Sequence, residues 1–116
     1  MTSTVKITNI IHTVVKSPSD IAKSRIKEGR LPAGPVLNRI QPGQTIDIIL
    51  MKTPLLIDTT IELNEIELNE KDIRKRITYK YSDISTNSFR NQRLPVGTKF
   101  FKDMRQTDTI YLILHP

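Results

Sequence analysis

The sequence predicts a small, mainly β domain: an antiparallel β-sandwich or a partly open barrel, with one short helix in the N-terminal half. Three observations carry this expectation. The 116 residues include 17 isoleucines and 13 threonines, β-branched side chains that pack well on a pleated surface. Residues 55–63 alternate strictly, with Leu55, Ile57, Thr59, Ile61 and Leu63 on one face and polar side chains on most of the other, the period of a half-buried strand. Only one segment carries a clear helix signal, whereas a doubly wound sheet needs helices between its strands.

In chain order, residues 4–15 read as a first strand. Val5 and Ile7 alternate with Lys6 and Thr8, and the phase then shifts through Asn9, Ile10 and Ile11, which predicts a bulge. Ser17, Pro18 and Asp20 form a helix start. Ile21, Ala22, Arg25 and Ile26 follow at helical spacing, and Gly29 supplies the stop. The helix is therefore expected over about residues 18–28. Residues 29–42 hold three prolines and two glycines, which reads as an extended connection. Pro42-Gly43 turns the chain into a strand over residues 44–51.

After the strand at 55–63, the apolar phase flips to Ile66 and Leu68. Ile73, Ile77, Tyr79 and Tyr81 then line a strand whose other face shows Arg74, Arg76, Thr78 and Lys80. Residues 82–93 are polar and read as a long exposed loop. Residues 94–101 read as a strand interrupted by Gly97, and residues 107–115 as the last strand. The expected core is Ile7, Ile46, Ile48, Ile57, Ile61, Leu63, Ile77, Tyr79, Ile110, Leu112 and Leu114. The whole chain, residues 1–116, is expected to be one domain.

Two internal similarities stand out. Residues 61–65 (Ile-Glu-Leu-Asn-Glu) recur unchanged at 66–70, and an odd period inverts strand faces, so a duplication absorbed as a bulge is expected. Arg30-Leu31-Pro32-Ala33-Gly34 resembles Arg93-Leu94-Pro95-Val96-Gly97. The simplest reading is two turns of similar chemistry.

The chemistry in the sequence points away from catalysis. With no cysteine, a disulfide scaffold, a thiol nucleophile and a cysteine zinc site are excluded. The glycines are not spaced for a phosphate loop. His12 and His115 are the only histidines, and could act as an acid–base pair only if the first and last strands brought them together. The acids at Asp58, Glu62, Glu65, Glu67, Glu70 and Asp72 read as a solvated face rather than a metal site. No enzyme activity, cofactor or metal is expected.

Charge is more informative. The formal net charge is +6, and it is unevenly distributed. Residues 16–39 hold six basic and two acidic side chains, residues 58–72 six acids and one lysine, and residues 74–105 nine basic and two acidic. Such a chain can associate basic face to acidic face. A cysteine-free β domain of this kind suits a structural subunit of a large symmetric assembly. A virion component is expected, such as a capsid decoration or cement protein or a head–tail junction protein, made in the host cytoplasm. The partners are then other protein subunits or copies of itself. The expected contact residues are Arg30, Arg39, Glu62, Glu65, Glu67, Arg74, Arg76, Lys80, Arg90 and Arg93. The alternative is a small basic nucleic-acid-binding module, with Arg74, Arg76 and Lys80 following a phosphate backbone. Its weakness is the lack of exposed aromatics for base stacking. No apolar run reaches the roughly 20 residues of a membrane helix, and residues 1–6 lack a signal peptide's apolar segment.

Overall fold

The computed structural model describes residues 3–52 and 65–116. The expected strand at 55–63 lies outside the described residues, as do the core positions Ile57, Ile61 and Leu63 and the candidate contact Glu62. Elsewhere the mainly antiparallel β class holds. Eight strands are described: β1 (Thr4–Ile7), β2 (His12–Lys16), β3 (Leu31–Pro32), β4 (Thr45–Met51), β5 (Ile66–Asn69), β6 (Ile73–Lys80), β7 (Arg93–Leu94) and β8 (Thr109–His115). Four short helices accompany them: α1 (Lys23–Glu28), α2 (Gly34–Leu37), α3 (Thr86–Asn91) and α4 (Thr98–Phe101).

The main sheet has the order β2-β8-β4-β6, all neighbours antiparallel. Alternation along β4 and β8 gives it two apolar faces. Ile46, Ile48, Leu50, Ile110, Leu112 and Leu114 pack beneath the helices and the short β3–β7 ladder, with Leu31, Leu94 and Phe100. Ile49, Met51, Tyr111 and Ile113 pack beneath the β1–β5 ribbon, with Ile7, Ile66 and Leu68. The sheet is thus sandwiched between a ribbon and a helical layer.

The two halves of the chain repeat one another. β4 and β8 pair so that Ile48 faces Leu112, and Thr45 at one end corresponds to Thr109 at the other. Both correspondences are a displacement of 64 positions (48 to 112, 45 to 109). The β2–β8 pairs run from His12 opposite Leu114 to Lys16 opposite Ile110. Advancing β2 by 63 and setting β8 back by 64 gives Lys75 opposite Leu50 and Tyr79 opposite Ile46, which are pairs of β6 with β4. Helix α2 recurs 64 positions on as α4 (34 to 98), and α1 recurs 63 on as α3 (23 to 86). Ladder β3–β7 places Leu31 against Leu94.

Local hydrogen bonds repeat too. Ser17 N–H donates to Asp20 Oδ2 at 2.9 Å, and Lys80 N–H to Asp83 Oδ2 at 2.9 Å. Gln41 N–H donates to Gln44 Oε1 at 2.8 Å, and Arg105 N–H to Asp108 Oδ2 at 2.8 Å. The domain is a pseudo-two-fold duplicate whose axis passes through the Ile48–Leu112 and Leu31–Leu94 pairs. The Arg-Leu-Pro-x-Gly similarity is therefore more than two turns of like chemistry. It marks the place where the halves meet on that axis.

Other expectations are corrected. The first strand is two, β1 and β2, broken where Asn9 takes φ 57°. The 18–28 helix splits into a 3₁₀ turn at Pro18–Asp20 and α1, and Gly29 ends α1 in the left-handed region at φ 68°. Residues 29–42 are not an extended connection: they contain β3 and α2, with Pro35 in the helix start that tolerates it. Residues 82–93 are not a long loop: Ser85 Oγ accepts from Ser88 N–H at 3.1 Å and caps α3. Residues 94–101 are not a strand, because Gly97 at φ 88° turns the chain into α4. Its Phe100 and Phe101, edge to face at 5.3 Å, fill the core. Ile77 and Tyr79 pack only partly buried at the margin.

Candidate functional site

Two clusters of polar side chains distinguish this surface. The first lies on the ribbon side of the main sheet. Asp47 is 1% exposed inside the apolar strand β4. Its Oδ1 accepts from Arg76 Nε at 3.1 Å and Thr78 Oγ1 at 2.6 Å. Its Oδ2 contacts Arg76 Nη2 at 3.2 Å and His115 Nε2 at 2.6 Å. β4, β6 and β8 are adjacent, so three strands deliver these four side chains to one spot. Burial alone would raise the Asp47 carboxyl, but the hydrogen bonds from Arg76, Thr78 and His115, with the Arg76 charge, hold it below its usual range.

The pseudo-two-fold gives a direct comparison. Counting by the same displacements, the counterparts of Asp47, Arg76, Thr78 and His115 are Tyr111, Thr13, Val15 and Met51. The same backbone framework thus accommodates a largely apolar set in its other half. A buried ion pair is not required to hold this sheet together.

The two histidines do not meet. His12 stands opposite Leu114 in the β2–β8 register and shares its face, whereas the adjacent His115 points to the other face. Burial, then the neighbouring Arg39 charge, pushes the His12 imidazole below its ordinary value. Arg74 and Arg76 do not form a free phosphate-tracking face either. Arg74 Nε lies 2.9 Å from Asp108 Oδ2, and Arg76 is forked on Asp47. Each arginine is neutralised by a buried carboxylate of its own chain. Lys80 is exposed beside them.

The second cluster lies on the opposite side of the sheet, around the β3–β7 ladder. Leu31 and Leu94 are fully buried in the core, so the preceding residues Arg30 and Arg93 are turned outward. Both line a cavity of about 150 Å³ with Ser85, Asn87, Ser88, Asn91 and Pro95. Residues 23–34 and 86–97, the repeated helix–ladder segments, hold six cations (Lys23, Arg25, Lys27, Arg30, Arg90, Arg93) against one carboxylate, Glu28. Arg25 pairs with Glu28 at 3.1 Å; among the described residues no ion pair is formed by Lys27, Arg30, Arg90 or Arg93.

The ribbon at the other end of the axis is acidic. Residues 4–7 and 65–72 hold four carboxylates (Glu65, Glu67, Glu70, Asp72) against Lys6 and Lys71. Glu65, Glu67 and Glu70 are exposed. Lys6 Nζ reaches Glu65 at 3.6 Å with both side chains 58% exposed, so the pair is wet and weak. Thr4 Oγ1 donates to Glu67 Oε1 at 2.9 Å.

The expected contact residues thus fall into separate places. Arg30, Arg90 and Arg93 gather at the basic pole, while Glu65 and Glu67 lie on the acidic ribbon. Arg39 lies near His12, and Arg74 and Arg76 are tied into their own sheet. Asp47 was missed by sequence reasoning. The signal that could have found it is a lone acid within the apolar run of residues 45–51. Comparison with protein-family models, with curated proteins and with solved structures found no match in any of the three.

Proposed function

We propose that the protein is a non-enzymatic structural subunit of a larger protein assembly, a component that decorates, cements or joins parts of a virus particle, meeting its neighbours through its two charged poles. One observation carries the reading: the pseudo-two-fold axis runs from a basic ladder at one end to an acidic ribbon at the other. Two poles of opposite sign on opposite sides of one sheet suit a heterologous, head-to-tail contact that repeats or closes into a ring. Arg30 and Arg93 at the basic pole have no carboxylate partner among the described residues, and the β3–β7 ladder fixes their backbones at the surface. They require little ordering when a neighbour arrives, which limits the cost of binding.

Sedimentation velocity of the purified chain tests this reading. Self-association, or association with an acidic partner subunit, is expected at low salt and should weaken once the Debye length falls to about 3 Å near 1 M salt. Reversing Arg90 and Arg93 to glutamate should weaken it without unfolding the domain. The competing reading, a nucleic-acid-binding module, is favoured by the same basic pole. It predicts a monomer whose oligonucleotide affinity falls steeply with salt. A chain that stays monomeric with its protein partners but binds oligonucleotide tightly overturns the assembly reading.

A further inference from the structure

We infer that the cavity at the basic pole is a binding site for a dianionic phosphate group, either free phosphate or a phosphomonoester. This inference stands apart from the assembly reading, since it concerns one chain and a small ligand. Three features of the cavity carry it.

The first is charge. Arg30 and Arg93 both belong to the lining, and no carboxylate-bearing residue does. Both arginines lack an ion-pair partner among the described residues. A dianion matches the pair; a single carboxylate would leave one positive charge over. The second is the balance of donors and acceptors. Ser85 Oγ accepts from Ser88 N–H and donates to Ser88 Oγ, both at 3.1 Å. The Asn91 Nδ2 group donates to Asn87 Oδ1 at 3.4 Å. These internal bonds occupy acceptors of the lining and leave the Ser88 hydroxyl proton and the Asn87 amide protons free to donate. With the forked donors of two arginines, the lining offers more N–H and O–H groups than one carboxylate can accept. A phosphate, with three strong acceptor oxygens, can use them.

The third is rigidity. Arg93 lies on β7 and Arg30 leads into β3, and the ladder fixes both backbones. Gly97 N–H donates to Gly29 O at 2.8 Å and Ala33 N–H to Gln92 O at 2.9 Å, linking the two halves beside the site. The remaining donors come from α3 and its cap, already tied to one another. The volume, about 150 Å³, is roughly that of five waters, enough for one phosphate group.

The test is an amide chemical-shift titration of the full chain at low salt, with inorganic phosphate, a phosphoserine peptide and an oligonucleotide lacking terminal phosphate as three separate probes. Saturable shifts at Ser85, Ser88, Asn91 and Arg93 are expected with inorganic phosphate or the phosphoserine peptide. Arg93→Gln, and separately Arg30→Gln, should weaken binding about tenfold or more. Lys6→Gln, at an exposed residue of the ribbon on the opposite side of the sheet, should leave it unchanged. Affinity should fall as the pH drops below about 6, where a phosphomonoester loses its second charge. Tighter binding of the phosphoserine peptide assigns the site to protein-borne phosphate, and equal binding assigns it to free phosphate. Shifts that never saturate, shifts reproduced by sodium chloride, or affinity unaltered in both arginine variants overturn the proposal. So does the unphosphorylated oligonucleotide binding at these residues more tightly than either phosphate probe. Dispersed amide spectra of the variants show that they remain folded.

Discussion

Ile48 and Leu112 face each other across the β4–β8 pair and are the same position of the two repeated halves. Both are fully buried in the core on the helical side. The last strand of each half therefore pairs with its own counterpart at the centre of the sheet. The second strand of each half, β2 or β6, is carried to an edge of the sheet, next to the other half's last strand. Neither half has a complete sheet of its own.

Truncating either residue of that pair should cost about the same. Ile48→Ala and Leu112→Ala each remove buried methyl groups from one site on the axis, at about 2–5 kcal/mol. Stabilities of about 5–15 kcal/mol make that a large fraction of the total. Chemical denaturation of both variants measures it. A difference beyond about 2 kcal/mol between the two would show that the halves have diverged in packing at their shared centre.

Gly29→Ala should be more damaging than Gly97→Ala. Both glycines have positive φ, 68° and 88°. A Cβ on Gly29 would lie 2.6 Å from the backbone carbon of Gly97 and the nitrogen of Thr98, while a Cβ on Gly97 meets nothing within 4 Å. The Gly97 variant carries backbone strain alone, about 1–3 kcal/mol for its glycine-favoured conformation. The Gly29 variant adds a clash with the opposite half, where the halves are hydrogen-bonded. Equal melting temperatures for the two variants would contradict this account.

The Asp47 cluster gives a third expectation. Asp47→Ala leaves Arg76 and His115 without their shared acceptor, yet both are part exposed and can turn to water. The loss should therefore fall below the 3–5 kcal/mol typical of breaking a fully buried pair, at about 1–3 kcal/mol. Replacing the set by its counterparts, Asp47→Tyr with Arg76→Thr, Thr78→Val and His115→Met, should recover part of that loss. Urea denaturation of the two variants compares them.

Acid should act in two steps. The His12 imidazole is held below its unfolded value of about 6.5, so the unfolded chain binds its proton first. That contribution is full above the unfolded value and is lost as the pH falls toward the lowered folded one. The Asp47 carboxyl is likewise depressed. Its contribution is present above the ordinary carboxylate value of about 3.9 and is lost as the pH falls through the lower folded value. His12→Asn should remove the upper step and leave the lower one. Stability measured against pH for the two chains tests the assignment.

The sequence showed some of this and concealed the rest for definable reasons. Alternation in residues 44–51 and 107–115 located β4 and β8, and Gly29 marked the end of α1. The duplication was hidden because its displacement drifts from 62 (Thr4 to Ile66) through 63 (Leu31 to Leu94) to 64 (Ile48 to Leu112), so no single period aligns the halves. Only short identities survive, such as Asp20-Ile21 with Asp83-Ile84. Helix α3 was hidden by its polar composition: six residues capped by Ser85 expose most of their side chains. The Asp47 site depends on partners 29, 31 and 68 positions away, a distance at which local pattern carries no signal.

The interleaved strand order leads to the last expectation, that the two halves unfold together. If β2 and β4 left with the first half, β8 and β6 would lose their partners, since the sheet order alternates halves as β2-β8-β4-β6. The apolar cluster beneath the helices draws Ile46 and Ile48 from one half and Ile110 and Leu112 from the other. The cluster beneath the ribbon draws Ile7 and Ile49 from one half and Ile66 and Tyr111 from the other. No free half could keep either core, so a partly unfolded state with one intact half would expose most of both. Thermal melts followed by far-ultraviolet circular dichroism and by tyrosine fluorescence should therefore coincide, as a single transition requires. Native-state hydrogen exchange should give the central amides of β4 and β8 the same highest protection. Separate transitions, or β4 protected while β8 exchanges freely, would show that the halves are independent and that the shared sheet is not what unites them.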